Sequence, residues 1–415
     1  MIFKRTIEKA ILKVSEYYPI TLITGARQVG KTVLATEIED KWNYNYISLD
    51  KGKNEDFAKN EPEKFLESNK SPLIVDEIQK APVLFKEMVG IVNEIRRKNG
   101  GDAATNMYIL TGSQKYELMK NVTESMAGRV GIIEMPPLSQ AEINGWEEKP
   151  FKVDLIDLMK KSEDRTLDEE SLYKSILRGF YPRLWENKNY PVQEFYKDYV
   201  KTYLDKDVSK LVNIKDIKKF EDFLTYLASL TGQEFIPSNV SNALGIDRRK
   251  VDSWTSILIS GDIIRLLPPY YEKSIKKRIV RRSKLFFNDT GLACYLLGLN
   301  STYLLLSSSY KGPLFETYVH NEIRKSFINN GIDTSRQMFY YRDTNQNEID
   351  LIILTDEGLN LIECKAGKNI SKNALSSFNQ IIDTDYKIVG KCVICTEQQP
   401  KKIVSDVFAL PFRCI

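Results

Sequence analysis

The chain has 415 residues, 42% of them hydrophobic and 28% charged, which is enough for two or three domains of about 100–200 residues each. Its 60 Lys and Arg against 56 Asp and Glu leave a net charge of +4, too mild by itself to indicate nucleic-acid binding. No run of about 18 apolar residues occurs, so we expect no contact with a membrane. The charged start lacks the apolar core of a secretion signal, and the cysteine count is odd, which together favour the cytoplasm.

The first predicted elements are a strand, a glycine-containing loop and a helix. The apolar run 20–24 predicts a buried strand, and residues 32–38 predict the first turns of a helix. Between them lies an octapeptide of the pattern G-x-x-x-x-G-K-[ST], made of Gly25, Ala26, Arg27, Gln28, Val29, Gly30, Lys31 and Thr32. Strand, loop and helix in this order argue against a chance glycine turn, and they predict a phosphate-binding loop.

The residue types of this loop predict how it would bind a nucleoside triphosphate. The backbone N–H groups from Gly25 to Val33, together with the helix N-terminus, are expected to face the phosphates. Lys31 would reach the β- and γ-phosphates, and the Thr32 hydroxyl would ligate Mg²⁺. The predicted cofactors are therefore a nucleoside triphosphate and Mg²⁺.

A second motif distinguishes hydrolysis from binding alone. An apolar strand at 73–75 ends in Asp76 and Glu77. Asp76 is expected to hold the magnesium ion, directly or through water, and Glu77 to polarise a water molecule toward the γ-phosphate. Two solvated acids that cap a strand are the alternative, but beside a phosphate-binding loop we favour hydrolysis.

Further strands complete the predicted sheet. Runs at 46–49, 107–110 and 131–135 read as strands that alternate with helices, which implies a parallel sheet covered on both faces. Thr111 and Ser113 follow one of them as candidates to sense the γ-phosphate. An extra strand between the phosphate-loop strand and the Asp-Glu strand is the layout of AAA+ and related ATPases.

The chain resembles one prokaryotic family in the two motifs already described and in five more. These lie at 110–113, 127–130, 137–139, 178–182 and 203–208. The members of this family are predicted AAA+-superfamily ATPases with a C-terminal domain of unknown function. The resemblance covers almost the whole chain and implies ATP as the nucleotide. It also implies that Arg129 is a γ-phosphate arginine, acting in cis or across a subunit boundary. Because AAA+ proteins commonly form rings, a homo-oligomer stays open.

The expected fold class is α/β, with four regions. A P-loop NTPase sheet of the AAA+ (ASCE) type is predicted for 1–150, and a helical lid or linker for 151–216. In the lid, Arg178 or Arg183 is a candidate to reach the nucleotide, and a surface salt bridge is the alternative for either. A winged-helix-like domain is predicted for 217–300, and an α/β nuclease-like domain for 301–415.

The winged-helix interpretation depends on a helix-turn-helix pattern and on basic residues. A short helix at 237–245 is followed by a second helix that opens with three basic residues at 248–250, and 263–269 with 273–284 would form the wing. Such a helix can contact DNA, but the same fold also serves to dock proteins, and both interpretations stay open.

Two predicted strands near the C-terminus carry a set of acids. If Leu354 pairs with Leu359 in the hairpin, Asp350 lies opposite Glu363, and Lys365 shares their face. Facing carboxylates repel unless a cation lies between them, and two acids with a lysine suit a Mg²⁺-dependent phosphodiesterase.

This pattern resembles the PD-(D/E)XK nuclease superfamily, in which Glu316 matches a preceding helical acid. Salt bridges within a retained fold are the alternative. We therefore predict an ATPase that controls a winged-helix and nuclease-like region acting on DNA. The alternative is an ATPase signalling switch whose C-terminal domains only bind a protein client or nucleic acid, without cleavage.

Overall fold

The computed structural model describes residues 3–100, 103–113, 128–209, 216–270, 282–343, 347–368, 386–404 and 406–415, with the single residues 212, 370, 375 and 378. The first position of the 127–130 motif and most of the predicted wing, 273–281, lie outside the described residues.

The N-terminal sheet is parallel, as predicted. Its strands are β1 (Ile20–Thr24), β2 (Asn45–Ser48), β3 (Leu73–Asp76), β4 (Tyr108–Thr111) and β5 (Val130–Glu134). Their order in space is β2-β3-β4-β1-β5, and all four pairings are parallel. The strand that separates β1 from β3 is β4, so the predicted P-loop NTPase sheet is confirmed.

Helices cover both faces of this sheet. They are α1 (Glu8–Tyr17), α2 (Lys31–Trp42), α3 (Gly52–Asn60), α4 (Pro62–Ser68) and α5 (Val83–Asn99). All five residues of β1 are buried, and the neighbours Leu22 and Ile23 pack into two different hydrophobic clusters. A strand buried on both faces reads as a continuous apolar run, which is why β1 was recognisable in the sequence.

The middle of the chain is mainly helical. Its helices are α6 (Gln140–Asn144), α7 (Leu155–Asp164), α8 (Glu169–Arg178), α9 (Pro182–Glu186), α10 (Val192–Tyr203), α11 (Ile217–Ala228), α12 (Pro237–Leu244), α13 (Arg248–Ser260), α14 (Thr290–Leu296) and α15 (Thr302–Ser307). A small antiparallel sheet of order β6-β8-β7 lies among them, formed by β6 (Gln233–Glu234), β7 (Ile264–Leu267) and β8 (Lys284–Phe287). Lys284, expected in an exposed basic wing, instead begins β8 with a buried side chain.

The C-terminal part combines a long helix with a mixed sheet of order β13-β14-β12-β11-β10-β9. Its elements are α16 (Lys311–Ile328), β9 (Met338–Arg342), β10 (Glu348–Thr355), β11 (Gly358–Lys365), β12 (Ile388–Cys395), β13 (Lys401–Val404) and β14 (Val407–Pro411). In the β10–β11 hairpin Leu354 pairs with Leu359, so the predicted register is confirmed. Among the described residues no helix has the length and apolarity needed to cross a bilayer.

Candidate nucleotide site and acidic cluster

The phosphate-binding loop needs its glycines. Gly25 and Gly30 have φ values of 147° and 99°, which side chains rarely adopt. A Cβ atom on Gly25 would also lie 2.3 Å from the carbonyl oxygen of Met135. The loop is therefore packed directly against the residue that follows β5.

Lys31 is buried at the first position of α2. Its ammonium group donates hydrogen bonds to the carbonyl oxygens of Gly25, at 2.9 Å, and Ala26, at 2.8 Å. Burial lowers the pKa of Lys31 to about 8, against the attraction of Glu77 and Asp262. A phosphate that replaced these carbonyls would give the lysine a full negative charge as its partner.

Asp76 is the centre of a group of hydroxyls. Its carboxylate accepts hydrogen bonds from the hydroxyl of Thr32, at 3.0 Å, from that of Tyr46, at 3.1 Å, and from that of Thr111. Thr32 and Asp76 thus present adjacent hard oxygen atoms of the kind that Mg²⁺ prefers. The residues fit the predicted ion, which they would hold together with the nucleotide. Tyr46 was predicted only as a strand residue, because a tyrosine in an apolar run carries no separate signal.

Glu77 has left-handed backbone geometry, with φ of 60°. The Glu77 side chain lines the cavity beside the loop, whereas Asp76 is not among the lining residues. The amide of Glu77 donates to the Thr111 hydroxyl at 3.2 Å, and the Gln79 side chain donates to the Glu77 carboxylate.

Ser113 lines the same cavity with a buried hydroxyl that has no hydrogen-bond partner among the described residues.

A cavity of about 530 Å³ lies over the loop. Besides Gln28, Gly30, Lys31, Thr32, Glu77 and Ser113, its lining comes from the chain start, α2, α9 and their neighbours: Phe3, Arg5, Arg27, Val33, Leu34, Glu37, Leu138, Pro182, Arg183, Glu186 and Thr202. Of the two arginines in the predicted lid, Arg183 lines the cavity. Arg178 instead donates to the carbonyl oxygens of Leu184 and Lys188.

Arg5 is buried and fixes the end of the phosphate-binding loop, a role that the sequence interpretation missed. Its guanidinium donates to the carbonyl oxygens of Val29 and Pro136, both at 2.7 Å, and to Glu142 at 3.0 Å. Glu142 also completes a capping box with Ser139 at the start of α6. The S-x-x-E spacing of that box was the signal for Glu142 that the sequence offered.

Arg129 lies at the wrong edge of the sheet to act in cis. Its carbonyl oxygen accepts a hydrogen bond from the amide of Ile20, the first residue of β1, whereas Gly25 follows the last residue. Five residues of strand separate these positions by about 16 Å. The Arg129 side chain donates to Asn93 on α5. The cis interpretation is therefore wrong, and action across a subunit boundary stays a prediction.

The predicted acids of the C-terminal part do come together. Asp350 and Glu363 face each other on β10 and β11, and the Lys365 ammonium lies 2.7 Å from Glu363 Oε2 and 3.7 Å from Asp350 Oδ2. Burial, reinforced by Asp350, raises the pKa of Glu363 to about 8. Burial also raises the pKa of Glu316 to about 7, although Lys284 opposes the shift.

A lysine from the middle sheet enters this group of acids. The ammonium of Lys284 lies 2.8 Å from Glu316 Oε1 and 3.8 Å from Asp350 Oδ1, and it also contacts Glu348. We call these four residues, with Glu363 and Lys365, the acidic cluster. Nowhere in the part of the chain that the structure describes do three or more His, Cys, Asp or Glu side chains form a group that could hold a metal ion. As arranged, the cluster does not fit the predicted nuclease Mg²⁺.

Helix α16 connects this cluster to the ATPase sheet. Near its end Arg324 forms an ion pair with Glu134, at 2.8 Å, and Lys325 donates to the carbonyl oxygen of Leu138 at 2.8 Å. The Glu322 carboxylate accepts a hydrogen bond from the amide of Gln140 at 2.6 Å. The segment after β5 is thus fixed to the helix that carries Glu316.

Sheet order, phosphate-binding loop and Asp-Glu strand end together define a P-loop NTPase of the AAA+ class. Residues 17–144 match the family model of the AAA domain, so this part of the chain is an AAA-type P-loop ATPase domain. Residues 169–303 and 311–415 match two domains of unknown function, DUF8612 and DUF4143.

The chain is also similar to whole proteins. The uncharacterized proteins Rv2008c of Mycobacterium tuberculosis and Mb2031c of Mycobacterium bovis are each 23% identical over 337 residues, which span 81% of this chain and 67% of the relative. Among solved structures, the Walker-type ATPase Paby2304 of Pyrococcus abyssi has a TM-score of 0.43 and 14% identity, covering 71% of this chain and 96% of that one. AMPPCP-bound DnaA from Aquifex aeolicus has a TM-score of 0.28 and 13% identity, with 61% and 85% covered.

Proposed function

We propose that this protein is a Mg²⁺-dependent ATP hydrolase that works as a switch, and that its C-terminal domains bind a partner without cleaving it. One observation carries the hydrolase part of the proposal: Lys31, Thr32 and Glu77 line a single cavity, and the Thr32 hydroxyl is bonded to Asp76. These are the groups that phosphate binding, metal binding and water activation require. The non-cleaving part rests on Lys284, whose ammonium group already contacts Glu316 and Asp350.

The chain's own residues have distinct parts in the reaction. Lys31 would leave the loop carbonyls for the β- and γ-phosphates, while Thr32 and Asp76 hold Mg²⁺, which when bound neutralises phosphate charge. Glu77 would accept the proton of the attacking water. The Ser113 hydroxyl, which has no partner in the part of the chain that the structure describes, is placed to donate a hydrogen bond to the γ-phosphate or to that water.

Two elements connect the nucleotide site to the C-terminal part, and through them a change at this site would reach the acidic cluster. Helix α16 joins Glu134 at the end of β5 to the acidic cluster. Strand β8 has Lys284 at one end, and Asn288, just past the other, donates to the carbonyl oxygen of Asp262 at 2.9 Å. Asp262 in turn attracts Lys31. A change of charge at the loop would therefore act on both elements.

The test of hydrolysis uses Glu77→Gln, which keeps the shape of the side chain but removes the base. We expect this variant to bind ATP like the unmodified protein while turnover falls by roughly 10²–10⁴-fold, and Lys31→Ala to lose binding. Glu94→Gln, an exposed carboxylate on α5, is the matched control. Full turnover in Glu77→Gln would refute the assignment.

A second candidate, DNA binding, has its own support. Helices α12 and α13 are joined through Gly245 in a left-handed turn, and Arg248, Arg249 and Lys250 lie exposed at the start of α13. The order helix, strand, helix, helix, strand, strand is that of a winged helix. Arg248 and Lys250 form ion pairs with Asp252 and with Asp216, which reduces their free charge.

Fluorescence anisotropy with labelled double-stranded DNA tests this candidate. We expect binding that weakens with salt and weakens further in Arg249→Ala, because phosphate contacts release counterions. Lys98→Ala, which removes an exposed cation from α5, is the control. Equal affinity in both variants would leave α13 without a role in DNA binding.

A further inference from the structure

Lys284 holds acids of two different elements around one ammonium group. It lies on β8 of the middle sheet, whereas Glu316 lies on α16 and Glu348 and Asp350 lie on β10 of the C-terminal sheet. All three carboxylates are within 4 Å of its Nζ atom. The side chain of Lys284 is only 2% exposed, so these acids replace water as its surroundings.

The oxygens that a divalent ion would need are already engaged. Asp350 Oδ1 faces Lys284, while Oδ2 accepts a hydrogen bond from the Cys364 amide at 2.8 Å and faces Lys365. A Mg²⁺ ion binds its oxygen ligands at about 2.0–2.1 Å. An ion at that distance would take Asp350 and Glu316 from Lys284 and would lie beside its positive charge.

Both consequences would destabilise the folded protein as long as Lys284 is present. A buried ammonium that loses its counter-ions is strongly destabilising, and the repulsion between Lys284 and a divalent ion adds to that cost.

We infer that Lys284 is the resident cation of the acidic cluster, that it excludes a divalent metal, and that it clamps the middle sheet to the C-terminal sheet. This inference rests on the non-cleaving part of the proposed function and is independent of ATP hydrolysis. A cavity of about 400 Å³, lined by Lys284, Glu348, Glu234 and Arg342 among others, adjoins the cluster. Ions can therefore approach it from that side.

Binding of Mn²⁺ to the full chain without nucleotide tests the inference. We expect the Mn²⁺ stoichiometry of the unmodified protein to be unchanged by Asp350→Asn. Lys284→Met should gain one Mn²⁺ per chain, and Lys284→Met with Asp350→Asn should lose it again. Lys284→Arg, which keeps the charge, should gain none. Any Mn²⁺ ion bound at Asp76 is present in all variants and does not affect the difference in stoichiometry between them.

Two results would overturn the inference: a loss of one Mn²⁺ in Asp350→Asn alone, or no gain in a folded Lys284→Met. Circular dichroism establishes folding of each variant. If Lys284→Met does not fold, the comparison of the unmodified protein with Asp350→Asn can still overturn the inference. Because ATP turnover of Glu77→Gln is measured separately, failure of the ATPase assignment is distinguishable from failure of this one.

Discussion

The guanidinium of Arg324 lies 2.8 Å from the carboxylate of Glu134, and this ion pair joins the last strand of the ATPase sheet to the helix of the acidic cluster. Glu134 immediately precedes Met135, whose carbonyl oxygen lies against Gly25. Arg324 and Glu316 are eight residues apart on α16, which corresponds to about 12 Å along the helix. Helix α16 therefore links the acidic cluster to Glu134, whose neighbour Met135 contacts the phosphate-binding loop.

Replacing Arg324 by Met should uncouple the two ends of α16. We expect ATP binding to change little, because Arg324 does not line the nucleotide cavity, and the stability cost of this partly exposed pair to be about 1 kcal/mol or less. Hydrogen exchange with and without a non-hydrolysable ATP analogue is the measurement. The unmodified protein should show a nucleotide-dependent change in α16 and β10 that is absent in Arg324→Met.

The control for this experiment is Arg97→Met, which removes an exposed arginine from α5. It should keep the exchange response of the unmodified protein. An equal response in Arg324→Met would show that α16 does not transmit the nucleotide state through this pair.

Arg183 is expected to contact the bound nucleotide from the lid. It lines the nucleotide cavity from α9, with its guanidinium 4.8 Å from the centre of the Tyr190 ring. Because a cation near the γ-phosphate stabilises charge in the transition state, Arg183→Ala should lower ATP turnover by roughly 10–1,000-fold. Steady-state phosphate release measures it, with Lys197→Ala on α10 as a surface control. Unchanged turnover in Arg183→Ala would remove the arginine from the reaction.

The affinity for ATP should depend on pH through Lys31. Burial lowers the pKa of the lysine to about 8 in the free protein, and bound phosphates would raise it, so binding takes up a proton above that pH. Affinity should be flat below about pH 7.5 and then fall by up to tenfold per pH unit. Titration calorimetry from pH 7 to 9.5 measures this, and Lys31→Arg should abolish the slope. A flat profile in the unmodified protein would contradict a neutralised lysine.

The ATPase fold was predictable because local patterns determine it. Buried parallel strands such as β1 are continuous apolar runs, and the loop from Gly25 to Thr32 is contiguous in sequence. The β10–β11 register followed from a four-residue turn, which brought Asp350 opposite Glu363. Contacts between distant segments had no such signal. Lys284 looked like part of a basic wing, and only the packing of β8 against β10 and α16 reveals its acidic surroundings.

The cis role that was left open for Arg129 is excluded by its position in the sheet. The family motif names the arginine, and only its place before the strand, Val130–Glu134, shows at which edge of the sheet it lies. In a parallel sheet that choice decides whether a side chain reaches the carboxyl edge, where the ligand binds. The pairing of Ile20 with Val130 places Arg129 at the opposite edge.

Glu363 should make the stability of the protein depend on pH. Burial raises its pKa to about 8 in the folded state, whereas an unfolded Glu titrates near 4.3. The folded state therefore binds more protons between these values, and the stabilisation is complete at low pH and lost as the pH rises through about 8. Gln is an uncharged mimic of the protonated acid, so Glu363→Gln should lack this contribution.

Melting temperatures of the two proteins between pH 5 and 9 measure the effect. The melting temperatures should be similar near pH 5, and that of Glu363→Gln should become progressively the higher as the pH rises. The difference in the free energy of unfolding should grow with a limiting slope of about 1.4 kcal/mol per pH unit. Glu357→Gln, at an exposed turn position of the same hairpin, should follow the unmodified protein. A constant difference between Glu363→Gln and the unmodified protein would mean that Glu363 is already ionised at pH 5, with Lys365 as a full ion-pair partner across the whole range.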